Sequence, residues 1–153
     1  HVAEGVTEAE ALALAAALQS GSEHPLARAV LARFGDAPLP TVEAFRALPG
    51  RGVSGMVGGR TLLLGSPRAL QDSGAPPGAL AARAEAEAAL GRTPAWLVET
   101  APAPRVLALL AFEDAEKPGA AAAIAGLRRL GVRAAMISGD SAAAAGAVAA
   151  RLG

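Results

Sequence analysis

Ser22-Glu23-His24-Pro25 is the sharpest local chemical feature of the sequence. Proline at the first position of a helix gives up no hydrogen bond, because its N–H would be unpaired there anyway. His24 then becomes the N-cap, at the positive end of the helix dipole, which disfavours imidazolium and favours a neutral planar ring able to stack on a nucleobase or bond to it. A histidine that merely caps an apolar helix pair fits the same spacing. Gly50-Arg51-Gly52-Val53-Ser54-Gly55 spells GxGxxG, but the dinucleotide fingerprint needs a strand before it and a helix opening on its third glycine, whereas Gly55 falls inside an alternating strand pattern. What survives is that glycines without Cβ let a ligand or another backbone approach closely, and a glycine-rich turn feeding a hairpin explains them equally well. No GxxxxGK[ST] occurs, and the single lysine, Lys117, lies far from these glycines. Ser138-Gly139-Asp140 would follow a parallel strand at its carboxyl end, where open α/β sheets place ligands and where Ser138 could donate to a phosphate oxygen; alone it is an ordinary turn. Asp114 and Lys117 complete the charged groups of interest, while Arg128, Arg129 and Arg133 read as a solvated helix face and strand start.

The elements that must position these residues follow from patterning. Thr7 with Glu10 matches a capping box, so a helix runs from about 7 to 19 with Leu14 and Leu18 on one face. A second helix starts at Pro25 with a stripe of Leu26, Ala29, Val30 and Phe34 before Gly35. After a proline-containing loop, Val53, Gly55 and Val57 alternate, Gly58-Gly59 turns, and Arg60 to Leu64 returns, which is a β-hairpin. A short helix over Pro67 to Asp72 and a longer one over Ala79 to Leu90 precede a second hairpin, Ala95 to Glu99 with Arg105 to Phe112. Residues 1–112 therefore predict an α+β domain. From 113 to 153 the grammar is helix–strand–helix: Pro118 to Leu130, Val132 to Ile137, Ser141 to Leu152. Its strand lacks parallel neighbours in this sequence, so the segment is an incomplete part of a larger α/β domain.

Composition narrows the function. The 153 residues carry 14 basic and 14 acidic groups, so no positive field draws in nucleic acid or an anionic membrane surface. With no cysteine and only two histidines, a transition-metal site borne by this segment is not expected. No apolar run reaches the roughly 20 residues of a membrane helix, and no signal peptide is expected at the N-terminus, so the segment reads as soluble. A start on His1 and a stop at Gly153 read as an excised piece.

Taken in order, Ser22-Glu23-His24-Pro25, Gly50-x-Gly52-Val53, Gly65-Ser66, Asp114-x-x-Lys117-Pro118 and Met136-Ile137-Ser138-Gly139-Asp140 resemble the heavy-metal-transporting P-type ATPases over essentially the whole chain. The resemblance implies an N-domain at 1–112, an antiparallel sheet of about six strands flanked by helix pairs, followed at 113–153 by an incomplete P-domain segment of the haloacid-dehalogenase-like α/β fold. It implies ATP with Mg2+ as the ligand, the Mg2+ held mainly by residues outside this chain. Nucleotide would meet Gln19, Glu23, His24, Gly50, Gly52, Val53, Gly65 and Ser66, with the His24 ring against adenine. Ser138, Gly139, Asp140, Asp114 and Lys117 would act near the transferred phosphate, only in a complete P-domain. The implied partners are the rest of the P-domain and the actuator domain of one parent chain, a cytoplasmic part of an integral membrane protein; Glu23 before His24 leans towards Cu(I) export.

Departures are specific. Gln19 stands where the family often has a glutamate accepting from the adenine amino group, and a Gln carbonyl can still accept while its NH2 can face the same donor. Ser66 and Ser141 each replace a usual asparagine. Both the Asp-Lys-Thr-Gly-Thr phosphorylation loop and the Gly-Asp-Gly-x-x-Asn-Asp magnesium loop are missing from the sequence, so this chain is expected to bind nucleotide without forming an aspartyl phosphate. The alternatives are a haloacid-dehalogenase-like phosphatase fragment, lacking any visible nucleophilic Asp-x-Asp, and a non-catalytic interdomain module.

Overall fold

The computed structural model describes residues 1–113, 118–137 and 142–153, the side chains of 142–144 excepted. Two helices, α1 (Glu8–Gln19) and α2 (Pro25–Phe34), lead into strands β1 (Val42–Leu48), β2 (Gly52–Val57) and β3 (Arg60–Gly65). Helices α3 (Pro67–Ser73) and α4 (Leu80–Ala89) then precede β4 (Thr93–Glu99) and β5 (Arg105–Phe112), with α5 (Ala120–Arg129) and α6 (Ala142–Leu152) after them. The strands form one antiparallel sheet in the order β1-β2-β3-β4-β5. An isolated bridge from Val2 to Ala108 runs beside β5. The α+β class, the antiparallel sheet and the helix pairs expected from the sequence are all present, with five strands and that bridge where the resemblance implies about six.

Alternation along β2 to β4 divides their residues between two cores, while a register shift beside Leu97 and Val98 leaves Leu107 and Ala108 of β5 on one side and Val106 and Leu109 on the other. Val53, Val57, Leu62, Leu64, Leu97 and Leu107 pack with Leu14, Leu18 and Val30 on the side of α1 and α2. Leu63, Trp96, Val98, Val106 and Leu109 pack with Ala69, Leu70 and Ala84 on the side of α3 and α4. Ala15, Ala16 and Ala17 are fully buried, and such small residues let α1 lie close on β2. The buried stripe of α2 is Ala27 and Val30 with Leu31 and Phe34 partly covered, an i, i+3, i+4, i+7 set; Ala29, expected in the stripe, is exposed one step round the helix.

Local signals explain the ends. Thr7 Oγ1 accepts from the Glu10 N–H at 3.1 Å, but the return half of the capping box is absent, because Glu10 Oε1 accepts from Arg60 at 2.7 Å instead. Gly58 and Gly59 have φ of +57° and +77°, the pair of positive values that a two-residue hairpin turn of matching twist requires. β1 was not evident in the sequence. Its partly buried residues are Val42, Phe45 and Leu48, three apart, because a bulge breaks the alternation: Glu43 pairs with Met56 and Arg46 with Ser54, leaving Ala44 and Phe45 opposite Gly55. Ala44 has φ +50°. The bulge turns Phe45 to the α1 and α2 side while Leu48 packs on the other core.

The strand expected over Val132 to Ile137 does not form; these residues have no regular secondary structure and join no sheet. A parallel strand needs flanking strands to satisfy its backbone, and this chain supplies none there. Leu130 and Ile137 are consequently 79% and 99% exposed. Glu113 ties this region to the sheet domain, accepting from Arg92 at 3.0 Å and pairing with Arg151 of α6 at 3.1 Å.

Candidate functional site

His24 is the N-cap of α2, as expected: its extended backbone (φ −62°, ψ 143°) precedes Pro25, and its Nδ1 accepts from the Leu26 N–H at 3.2 Å. An imidazole nitrogen that accepts carries no proton, so the ring is the Nε2–H tautomer, exposed and free to present its face. The ring itself therefore forms the cap. Ser22 Oγ accepts from the His24 N–H at 3.3 Å, and the Ser22 N–H bonds back to the Gln19 carbonyl at 3.0 Å, which fixes the turn between the helices. Gly21 in that turn lies on the Phe45 ring, since a Cβ there would meet three ring atoms at 3.2 Å. Phe45 is a half-buried aromatic beside the proposed base-binding turn that the sequence reading missed, because the bulge hides its strand.

Gln19, at the end of α1, is only 8% exposed, and its Oε1 is buried with no hydrogen-bond partner among the described residues. An unpaired buried acceptor costs about 1–3 kcal/mol. Glu23 is exposed beside His24.

The glycines and serine gather at one end of the sheet. Gly52 and Gly65 are register partners; the Ser66 N–H donates to the Arg51 carbonyl at 2.8 Å, and Ser66 Oγ, which also caps α3, lies 3.4 Å from the Gly50 carbonyl as its donor. Val53 is buried under α1. The structure thus assembles Gly50, Gly52, Gly65 and Ser66 in one cluster and Gln19, Glu23 and His24 in another, with Val53 and Phe45 on the strands beneath the helix pair. Gly50 (φ +68°) has open space around it, whereas Gly52 and Gly65 are pressed against backbone, so their lack of Cβ is already demanded by the fold. Asp114, Lys117, Ser138, Gly139 and Asp140 lie outside the described residues. Arg128, Arg129 and Arg133 are exposed, as expected.

A second charged group lies away from this region. Glu99, 7% exposed, accepts from Arg60 Nε at 2.8 Å and NH2 at 3.1 Å and from Arg105 Nε at 2.8 Å, and Arg60 reaches on to Glu10. These donors, Arg60 first, hold the Glu99 carboxyl below its ordinary value against the opposing effect of burial. The group staples β3, β4 and β5 to the start of α1.

Residues 1–153 match the family description "haloacid dehalogenase-like hydrolase". The chain belongs to that family. Among its haloacid-dehalogenase-like relatives, a copper-transporting ATPase 2 of Rhizobium meliloti is 39% identical over 99% of this chain and 18% of its own. A zinc/cadmium/lead-transporting P-type ATPase of Shigella sonnei is 35% identical over 100% of this chain and 20% of its own. The chain therefore spans about a fifth of the length of these curated relatives. A solved zinc-transporting PIB-type ATPase in its E2.Pi state superposes with a TM-score of 0.77 at 34% identity, covering 99% of this chain and 24% of that one. The N-domain of HMA6, a copper-transporting P-type ATPase, shares the fold, with a TM-score of 0.53 at 22% identity over 71% of this chain and 96% of that domain. This haloacid-dehalogenase-like chain thus corresponds to a domain region of heavy-metal P-type ATPases, copper and zinc or cadmium types alike.

Proposed function

We propose that residues 1–112 are the ATP-binding N-domain of a cation-transporting P-type ATPase, and that residues 113–153 are part of its P-domain. The observation that carries the reading is at the α1–α2 turn: an exposed imidazole whose Nδ1 is engaged by the backbone, with Gln19, five residues earlier, holding a buried carbonyl oxygen that has no hydrogen-bond partner among the described residues. A planar neutral ring offers a stacking face to adenine, and an unpaired acceptor suits the adenine amino group. Gly50, open and at positive φ, lets the nucleotide approach main chain. Such a site holds the triphosphate by position, so that its γ-phosphate reaches an aspartate of the parent outside this sequence; the catalytic contribution is orientation rather than bond-making.

Mg2+ supplies charge neutralisation of the phosphates. We propose that this ion comes with ATP and is held mainly by the parent's other residues. Ser138, Gly139, Asp140, Asp114 and Lys117 are proposed to join the phosphate site in the complete P-domain. No helix among the described residues is long and apolar enough to cross a membrane; we place the segment on the cytoplasmic side of an integral membrane pump, against that pump's actuator domain.

Copper export is the cargo we propose, from Glu23 before His24. The zinc/cadmium/lead relative is nearly as similar as the copper one, so zinc is the second reading, and metal-stimulated ATPase activity of the whole parent decides between them. The ATP reading is tested on this chain by an NMR titration with ATP and GTP. Shifts concentrated at 19–25, 50–53 and 65–66, larger for ATP, with a dissociation constant of roughly 0.1–1 mM (about −4 to −5.5 kcal/mol), are expected. Flat spectra at several millimolar ATP would overturn it.

A further inference from the structure

Arg51 lies between the two glycines of Gly50-Arg51-Gly52, yet its side chain turns away from His24 and joins the cavity wall on the α3 side of the sheet. There its NH1 meets Asp72 Oδ2 at 2.6 Å. Asp72 belongs to the last turn of α3. The first turn of the same helix is tied to the same loop: Ser66, its N-cap, donates its N–H to the Arg51 carbonyl and has its hydroxyl within reach of the Gly50 carbonyl. Helix α3 therefore holds the glycine loop at both ends. In between, Leu48, Arg51 and Ser54 line one cavity of about 210 Å³ together with Ala69, Asp72 and Ser73. At the far end of that cavity the ion pair joins the loop to the helix. Leu70 and Ala69 anchor α3 in the core opposite the one that carries Gln19.

We propose that Arg51 and Asp72 are a positioning pair that sets the pose of the glycine loop for nucleotide, from the face of the sheet opposite His24. The proposal rests on the ATP reading above. It makes nucleotide affinity depend on two half-exposed charges on the far face of the sheet.

NMR of the 153-residue chain tests it. Asp72→Asn leaves α3 intact, because a carboxylate in the last turn opposes the helix dipole and its loss relieves that repulsion. Without nucleotide, the amides of Gly50, Arg51 and Gly52 are expected to shift and exchange faster in Asp72→Asn, while those of 19–26 stay in place. The ATP dissociation constant is expected to rise roughly two- to fivefold, the range an exposed ion pair supplies. The reversed pair, Arg51→Asp with Asp72→Arg, should restore both, which a purely structural defect would not. Unmoved glycine amides, an unchanged ATP constant, or a reversed pair no better than Asp72→Asn would each overturn the proposal. A wild-type chain that ignores ATP sinks the ATP reading and the affinity claim with it; the nucleotide-free amides then judge the tether separately, and unmoved amides sink that too.

Discussion

Gly52 and Gly65 face each other across β2 and β3 with no room for a side chain on either. A Cβ on Gly52 would lie 2.1 Å from the Leu64 carbonyl oxygen, and one on Gly65 would lie 2.1 Å from the Arg51 carbonyl oxygen and 2.9 Å from the Ala69 Cβ. Backbone cannot yield as a flexible side chain can, so Gly52→Ala and Gly65→Ala should each cost at least about 1–3 kcal/mol of stability. Gly50→Ala meets nothing within 4 Å and should cost only about 1 kcal/mol for its positive φ, with the larger loss in ATP affinity. Thermal unfolding of the three variants, with and without ATP, separates them; a Gly65→Ala protein as stable as wild type would refute the packing argument.

His24 carries two roles that one substitution can split. Asparagine also caps a helix well, so His24→Asn should keep stability within about 1 kcal/mol of wild type, whereas His24→Ala should lose about 0.5–2 kcal/mol with the cap. Both lack the ring and should bind ATP several-fold more weakly, about 1 kcal/mol or more of stacking. Calorimetric titration alongside denaturant melts reads the two effects, and ATP binding by His24→Asn equal to wild type would remove the ring from the site.

Acid should loosen the staple at Glu99. Its carboxyl is held low in the folded chain by Arg60 and then Arg105, so as pH falls the unfolded state takes up the proton first. The stabilisation is complete above the ordinary glutamate value, about 4.3, and is lost as pH drops through the lower folded value. Glu99→Gln should cost about 1–3 kcal/mol at neutral pH and flatten the acid limb of the stability curve. Urea melts across pH 7 to 3 check this, and parallel curves for the two proteins would exclude Glu99 as the titrating group.

Gln19→Glu tests the unpaired acceptor directly. A carboxylate at a position 8% exposed should lower the melting temperature of the nucleotide-free chain, since a buried charge without a partner is costly. ATP should recover more stability for Gln19→Glu than for wild type, by up to about 1–2 kcal/mol, because a bond to a charged acceptor is the stronger one; GTP, which lacks the amino donor at that position, should not. Equal stabilisation by both nucleotides in both proteins would take Gln19 out of base recognition.

Much of this was legible because the signals were local. The cap at His24, the Gly58-Gly59 turn, the alternation of β2 and the short apolar runs of β3 to β5 each depend on a few adjacent residues, and each is present. What the sequence hid depended on residues far apart. Phe45 was invisible because the Ala44 bulge spaces the buried residues of β1 by three, which resembles neither a strand nor a loop signal. Arg51 and Asp72 are 21 positions apart and meet only once α3 folds under the hairpin. The run over 132–137 failed in the opposite sense, since its strand-like composition has no partners in this chain to pair with.

The Ala44 bulge gives β1 a change of parity. Outboard of it, even-numbered positions point to the helix pair; inboard, odd-numbered ones do, so Val42 and Phe45 share a core that a regular strand would divide between them. Deleting Ala44 would therefore leave Glu43 opposite Met56 and Arg46 opposite Ser54, with Phe45 alone opposite Gly55, and the shortened, regular strand would keep Val42 and Phe45 on one face. The extra residue is thus dispensable for which side chains face the helix pair, and an aligned relative without it should still carry an aromatic against the turn that holds His24.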